Sequence, residues 1–151
     1  MTHAPDAPSA ATREHLGSDL RGRSSPFHDL LGFVMTEWSE GHCVICCDLR
    51  PQHMNRNGFV HGGVLMAMLD EAGGAAGVWA GALGQARRSV TIDLNCSFTG
   101  RASAGRLAAT GTMLSHGRQI FFCRSELRDD SGTLIAFAQS THRWRSDPHA
   151  S

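Results

Sequence analysis

The sequence predicts an α+β domain in which one antiparallel sheet wraps around a single long helix. Three observations carry that prediction. From about Gly62, the residues Leu65, Met68, Leu69, Ala72, Ala76 and Trp79 recur at three- and four-residue steps, the spacing of one helical face. Two stretches of strand-like composition precede this run and four follow it, with turn sequences between them. The chain has 151 residues, which suits one domain with a substantial core.

The elements are read in order. Residues 1–25 are rich in Ala, Ser, Pro and charge and hold no apolar core, so they read as a mobile tail, neither a signal peptide nor a membrane span. The domain is expected over residues 26–146, with 147–151 as a short second tail. Pro26 to Leu31 suggests a short helix capped by Ser25 and ended by Gly32. Phe33 to Trp38 and Cys43 to Leu49 read as strands around the turn Ser39-Glu40-Gly41-His42. Asn55, Asn57 and Gly58 mark a turn before the long helix, which is expected to close at Gly81 to Gly84. Ser89 to Phe98 is a clear strand with alternating Val90, Ile92, Leu94 and Cys96. Arg106 to Leu114, Gln119 to Leu127 and Leu134 to Trp144 complete the set, and Asp129-Asp130-Ser131-Gly132 is a strong hairpin turn.

Composition excludes several functions. Basic and acidic residues balance at 14 each, so nothing draws the whole chain to nucleic acid or to an anionic membrane. Asp70-Glu71 interrupts the apolar helix, which argues against membrane insertion. The five cysteines read as free thiols in a reducing cytoplasm. Cys43-Val44-Ile45-Cys46 has redox or zinc spacing, but it lies in a strand and no second pair completes four ligands. No metal or cofactor is expected.

Asp70 is the first candidate for chemistry. Its neighbours on the same helical face, Ala67, Gly73, Gly74 and Gly77, are all small. Mid-helix glycine costs about 1 kcal/mol relative to alanine, so close approach by another backbone or a ligand is the expected reason. A partly desolvated carboxylate in such a place can act as a general base. The helix start is the second candidate. His61-Gly62-Gly63 occupies the first turn, where backbone N–H groups lack partners and attract a developing oxyanion. Gly62 is the candidate donor, His61 holds the loop or touches a carbonyl, and Asn55 offers an amide to water or substrate. Asp70 lies roughly 12 Å along the axis from Gly62 at 1.5 Å per residue, too far to close one small site. An antiparallel second copy of the helix would set Asp70 of one chain opposite Gly62 of the other. A dimer with its site at the interface is therefore expected.

Asn55, Gly58, His61-Gly62-Gly63, Leu69 and Asp70, as N-x-x-G-x-x-H-G-G-x5-L-D, resemble the signature of the PaaI-like hotdog-fold thioesterases of phenylacetate metabolism. The resemblance continues in Thr91-Ile92-Asp93-Leu94 and in Thr141-His142-Arg143, and covers about Phe27 to Trp144. It implies a hotdog fold and hydrolysis of an acyl-coenzyme A to a free acid and coenzyme A, with Asp70 as base or nucleophile. It also implies a dimeric or tetrameric assembly, a Thr91 hydroxyl that helps place the attacking water, and support from Asn55. Gly63 would permit close packing beside the substrate. Arg88, with the turn His116-Gly117-Arg118, would meet the phosphates of coenzyme A, and Arg87 and Arg101 are further candidates. Glu71 points elsewhere around the helix and is expected to be structural, in an interface salt bridge. The absence of a G-x-S-x-G elbow excludes a serine thioesterase of the α/β-hydrolase type. The alternatives are a non-catalytic acyl-coenzyme A-binding module and a hotdog hydratase or dehydratase.

Overall fold

The computed structural model describes residues 24–81 and 87–145. The expected tails (1–23 and 147–151 among them) and residues 82–84, expected to close the long helix, lie outside the described residues. Chain order gives α1 (Pro26–Leu31), β1 (Phe33–Ser39), β2 (His42–Asp48), α2 (Gly62–Ala76), β3 (Arg88–Phe98), β4 (Arg106–His116), β5 (Ile120–Asp129) and β6 (Leu134–Arg145). A short 3-10 turn, Pro51–His53, lies in the loop before α2. The strands form one six-stranded sheet ordered β1-β2-β4-β5-β6-β3, antiparallel throughout, with α2 packed on one face. This is the predicted architecture.

Local chemistry sets the boundaries. The Ser25 hydroxyl caps α1 by accepting from the His28 N–H at 3.2 Å, Pro26 occupies its first turn, and Gly32 ends it at φ 69°. The turn after β5 follows its sequence: Asp129 Oδ1 accepts from the N–H groups of Ser131 and Thr133, and Gly132 adopts φ 81°. Period-two burial on β2 turns Cys43, Ile45 and Cys47 inward and leaves Val44 and Cys46 partly exposed. Cys43 and Cys46 thus face opposite sides of the sheet and form no common site. Burial raises the Cys43 thiol far above its ordinary value and pushes Cys123 up to about 12. Both are inert core residues.

The long helix is shorter than its periodicity suggests. It ends at Ala76, so Trp79 is not on it and Gly81 does not close it. Two indoles explain the stop. Trp38 Nε1 donates to the Ala75 carbonyl at 2.8 Å, and Trp144 Nε1 donates to the Gly77 carbonyl at 2.8 Å. Carbonyls that another turn of helix would need are thereby occupied by side chains. Trp79 packs edge-on against Trp38 instead, with centroids 5.0 Å apart.

The helix glycines admit another backbone, as expected, and it is that of the chain's own sheet. The sequence suggested that a ligand or a second backbone lay against Gly73, Gly74 and Gly77. In the structure the chain's own sheet fills that space. A Cβ on Gly73 would lie 2.8 Å from Ser140 Oγ and 3.1 Å from Ser125 Oγ, and one on Gly77 would overlap the Phe121 ring. Across the interface, a Cβ on Gly111 of β4 would collide with the Ala72 carbonyl. Helix and sheet are therefore in near-backbone contact, around a core that includes Ile45, Met68, Leu69, Leu107, Leu127 and Ile135.

β3 carries a further difference. Of its alternating apolar residues Leu94 and Cys96 pack against the core, whereas Val90 and Ile92 are 40% and 56% exposed, and Phe98 is 51% exposed. The reason is topological. β3 is an edge strand, paired only with β6, and its register shifts between Thr91 and Asp93.

Candidate active site

Asp70 emerges half-buried from the third turn of α2, on the wall of a cavity of about 370 Å³ between α2, β1 and β3. Met35, Trp38, Ala75 and Val78 supply apolar lining, and Thr91 closes the β3 side. Asp70 Oδ1 accepts a 2.7 Å hydrogen bond from Thr91 Oγ1. A carboxylate held this way has one oxygen fixed and the other free to meet water or a carbonyl carbon.

Its neighbour Glu71 lines the same cavity but is engaged within the chain. Glu71 Oε2 lies 2.8 Å from Nε2 of His28, a buried residue of α1. The contact is an ion pair more than a well-aligned hydrogen bond. The Glu71 carboxylate raises the His28 pKa above its ordinary value, against the opposing effect of burial. Glu71 thus has a structural partner on α1 of its own chain.

The start of α2 forms a second centre. His61 is the N-cap, and its Nδ1 accepts from the Gly63 N–H at 2.9 Å. Among the described residues the Gly62 N–H has no hydrogen-bond partner, so it remains an open donor at the positive end of the helix dipole. Asn55 both shapes the loop and keeps a free group. Its Oδ1 accepts from the Asn57 N–H at 2.8 Å and the Phe59 N–H at 3.2 Å, while its amide NH₂ has no partner among the described residues. Asn55 and Gly62 line a cavity of about 470 Å³ together with Phe59, Leu65, Phe98 and Arg101.

The candidates thus fall into two groups. Asp70 and Thr91 meet at one cavity; Asn55, His61 and Gly62 gather around another, and the two share no lining residue. About two turns of α2 separate Asp70 from Gly62.

The residues expected to meet coenzyme A share one end of the sheet. His116 ends β4, Gly117 and Arg118 form the β4–β5 turn, and Arg88 begins β3 directly across from Arg145. His116 Nδ1 donates to the Gly117 carbonyl at 3.1 Å, and its ring lies 5.4 Å from that of Trp144. Arg87 stacks on Trp144 at 4.8 Å and also reaches the Asp70 cavity. Among the described residues Arg87, Arg88, Arg118 and Arg145 have no acidic partner. Like charges facing across strands, as Arg88 and Arg145 do, are unfavourable unless an anion joins them. Arg101 lies elsewhere, over the Phe59 ring in the second cavity.

Sequence reasoning missed a group beneath Asp70. His142 is fully buried on β6, stacked on Phe121, with Nδ1 3.2 Å from Thr91 Oγ1 and Nε2 2.8 Å from Ser140 Oγ. Burial holds its pKa below the ordinary histidine value, against the opposing pull of Asp70. A signal was present: Ser140 and His142 continue the inward period-two series of Ala136 and Ala138, so polar residues occupy core positions of a strand. Among the described residues no three His, Cys, Asp or Glu side chains gather to hold a metal ion. No helix among them is long and apolar enough to cross a membrane.

Comparison with known proteins follows this geometry. The model of the thioesterase superfamily matches residues 57–136. Rv1847 of Mycobacterium tuberculosis is 30% identical over 115 residues, 76% of this chain and 82% of that protein. Its structure superposes with a TM-score of 0.74 over 82% of this chain and 98% of that one. A mutant of the phenylacetic acid degradation protein PaaI from Thermus thermophilus gives 0.70 at 25% identity, over 79% of this chain and 98% of that one. PaaI from Escherichia coli gives 0.76 at 19% identity, over 91% and 97%, and shares the fold.

Proposed function

This chain belongs to the thioesterase superfamily and has its hotdog fold, and from that premise we propose that it hydrolyses an acyl-coenzyme A to a free acid and coenzyme A. One observation carries the reading most directly: a carboxylate, Asp70, oriented by Thr91 on the wall of a cavity whose lining is part apolar and part polar. Asp70 removes a proton from water or attacks the thioester carbonyl itself. The carbonyl oxygen, as it becomes anionic, is received by an open backbone N–H at a helix start, which in such sites supplies about 3 kcal/mol. That donor is Gly62 of a second copy, with the free Asn55 amide beside it.

Several features support a shared site. Each chain offers the two halves about two turns apart on one helix, and its edge strand β3, paired on one side with β6, exposes Val90, Ile92 and Phe98. A second copy related by a twofold axis, with α2 antiparallel, would bring the Asp70 cavity of each chain to the Gly62 cavity of the other. A dimer is then the smallest active unit, and pairing of dimers gives a tetramer. His61 serves as a cap that leaves Gly62 free, and Gly63 lets the first turn pack closely. Arg88, with His116, Gly117 and Arg118, receives the phosphates of coenzyme A, and Arg87 links that basic end to the Asp70 cavity.

The test is release of coenzyme A thiol from a panel of aromatic, short, medium and long acyl-coenzyme A thioesters. Wild type should turn over at least one class, and a folded Asp70→Ala variant should lose that turnover. Binding without turnover by wild type would replace the reading with that of an acyl-coenzyme A-binding module.

A further inference from the structure

Two buried residues under α2, Ser140 and His142, and the more exposed Thr91 form a directed chain that ends on the candidate base. Thr91 has one hydroxyl proton, and at 2.7 Å from Asp70 Oδ1 that proton belongs to the carboxylate. The contact from His142 Nδ1 to the same oxygen, at 3.2 Å, must therefore be donated by the imidazole. A neutral imidazole with its proton on Nδ1 is an acceptor at Nε2, and the Ser140 hydroxyl lies there at 2.8 Å. Each donor thus points the same way, from Ser140 to His142 to Thr91 to Asp70.

We propose that His142 is a positioning residue: its Nδ1–H fixes the Thr91 hydroxyl as a donor to Asp70 Oδ1, so that Oδ2 alone faces the reacting group. The inference rests on the thioesterase reading for its catalytic consequence, but the hydrogen-bond direction stands without it. The surroundings are built for this arrangement. The imidazole is sealed from water, with Phe121 stacked on it at 4.9 Å and 14°. Gly74 lies on its helix side, and a Cβ on Gly73 would come within 3.3 Å of Nε2 and 2.8 Å of Ser140 Oγ. The helix glycines therefore hold open the space that the polar chain occupies.

Thr91 takes a different part here from the one its resemblance implies. With its proton committed to Asp70 and a lone pair filled by His142, its hydroxyl orients the carboxylate and cannot donate to the attacking water.

Two isosteric halves of the imidazole test the proposal. His142→Asn retains a donor near the Nδ1 position, and His142→Gln retains a polar group near Nε2 but removes that donor. With His142→Gln, kcat should fall about two- to tenfold with KM within about threefold of wild type, as expected for loss of one hydrogen bond between neutral groups. His142→Asn should recover most of that loss. Nitrogen-15 spectra of the wild-type imidazole should show the neutral, Nδ1-protonated tautomer near pH 7. Equal losses of kcat in Asn and Gln that track their melting temperatures would overturn the proposal, as would an Nε2-protonated tautomer. If no thioester is hydrolysed, or Asp70→Asn remains active, the functional reading fails; the tautomer still decides the hydrogen-bond direction.

Discussion

At the scale of single residues, Asp70 and Gly62 stand in one sequence motif, yet each chain keeps them in different cavities. Gly62 offers an unusually clean test because it is the first residue of α2. Proline is well tolerated there, since that N–H has no helical partner and the preceding His61 is already extended at ψ 135°. A Cβ at Gly62 would meet Phe98 at an ordinary 3.5 Å. Gly62→Pro should therefore keep the fold and lower kcat about 10²- to 10³-fold, whereas Gly62→Ala, which keeps the N–H, should lose far less. Steady-state kinetics beside thermal melts would separate the two. Thr91→Val should lower kcat about ten- to hundredfold by freeing the Asp70 carboxylate, and Thr91→Ser should recover most of it. An unaltered kcat in Thr91→Val would remove Thr91 from the site.

At the scale of elements, α1 and α2 are joined by the His28–Glu71 pair, and its stability has a definite pH sign. The folded-state pKa of His28 is raised above 6.5. A raised histidine pKa means that the folded state binds the proton more tightly than the unfolded chain. The stabilisation is thus fully present below the unfolded value and is lost as pH rises through the folded one. Melting temperature should fall across that window, and Glu71→Gln should flatten the fall; an identical profile in both proteins would exclude the pair as its cause. The end of α2 makes a second prediction. Trp144→Phe keeps most ring packing but leaves the Gly77 carbonyl without its indole donor, and should cost about 1 kcal/mol in denaturant unfolding.

These elements also show what was legible beforehand. The short capped helix, the hairpin turn at Asp129 and the strand order in sequence were readable because Ser, Pro, Gly and Asp act over a few residues. The end of α2 was not, because it is imposed by Trp38 and Trp144 from distant strands. The glycine face was legible as an anomaly, but its cause was not. Its occupants, His142, Ser125 and Ser140, come from the other end of the chain. For the proposed site, the motif singled out Asp70, Asn55, His61 and Gly62, and helix spacing set Asp70 and Gly62 about two turns apart, as they are in the structure. The partner of Asp70 on β3 followed only from resemblance, and the histidine behind it was missed.

At the scale of the whole molecule, the exposed apolar residues of β3 and the separation of Asp70 from Gly62 support the proposed dimer. A site at the interface makes two inactive variants complementary. Asp70→Ala removes one half of every site and Gly62→Pro removes the other. In a mixed dimer, one of the two sites receives Asp70 from one chain and the Gly62 N–H from its partner, and is intact. Equal amounts, mixed under conditions that exchange subunits, should regain about a quarter of wild-type kcat per chain if pairing is random. Recovery near that level is the result the account predicts. A mixture that demonstrably exchanges subunits and stays as inactive as its components would contradict it, and would place a complete site within a single chain or none at all.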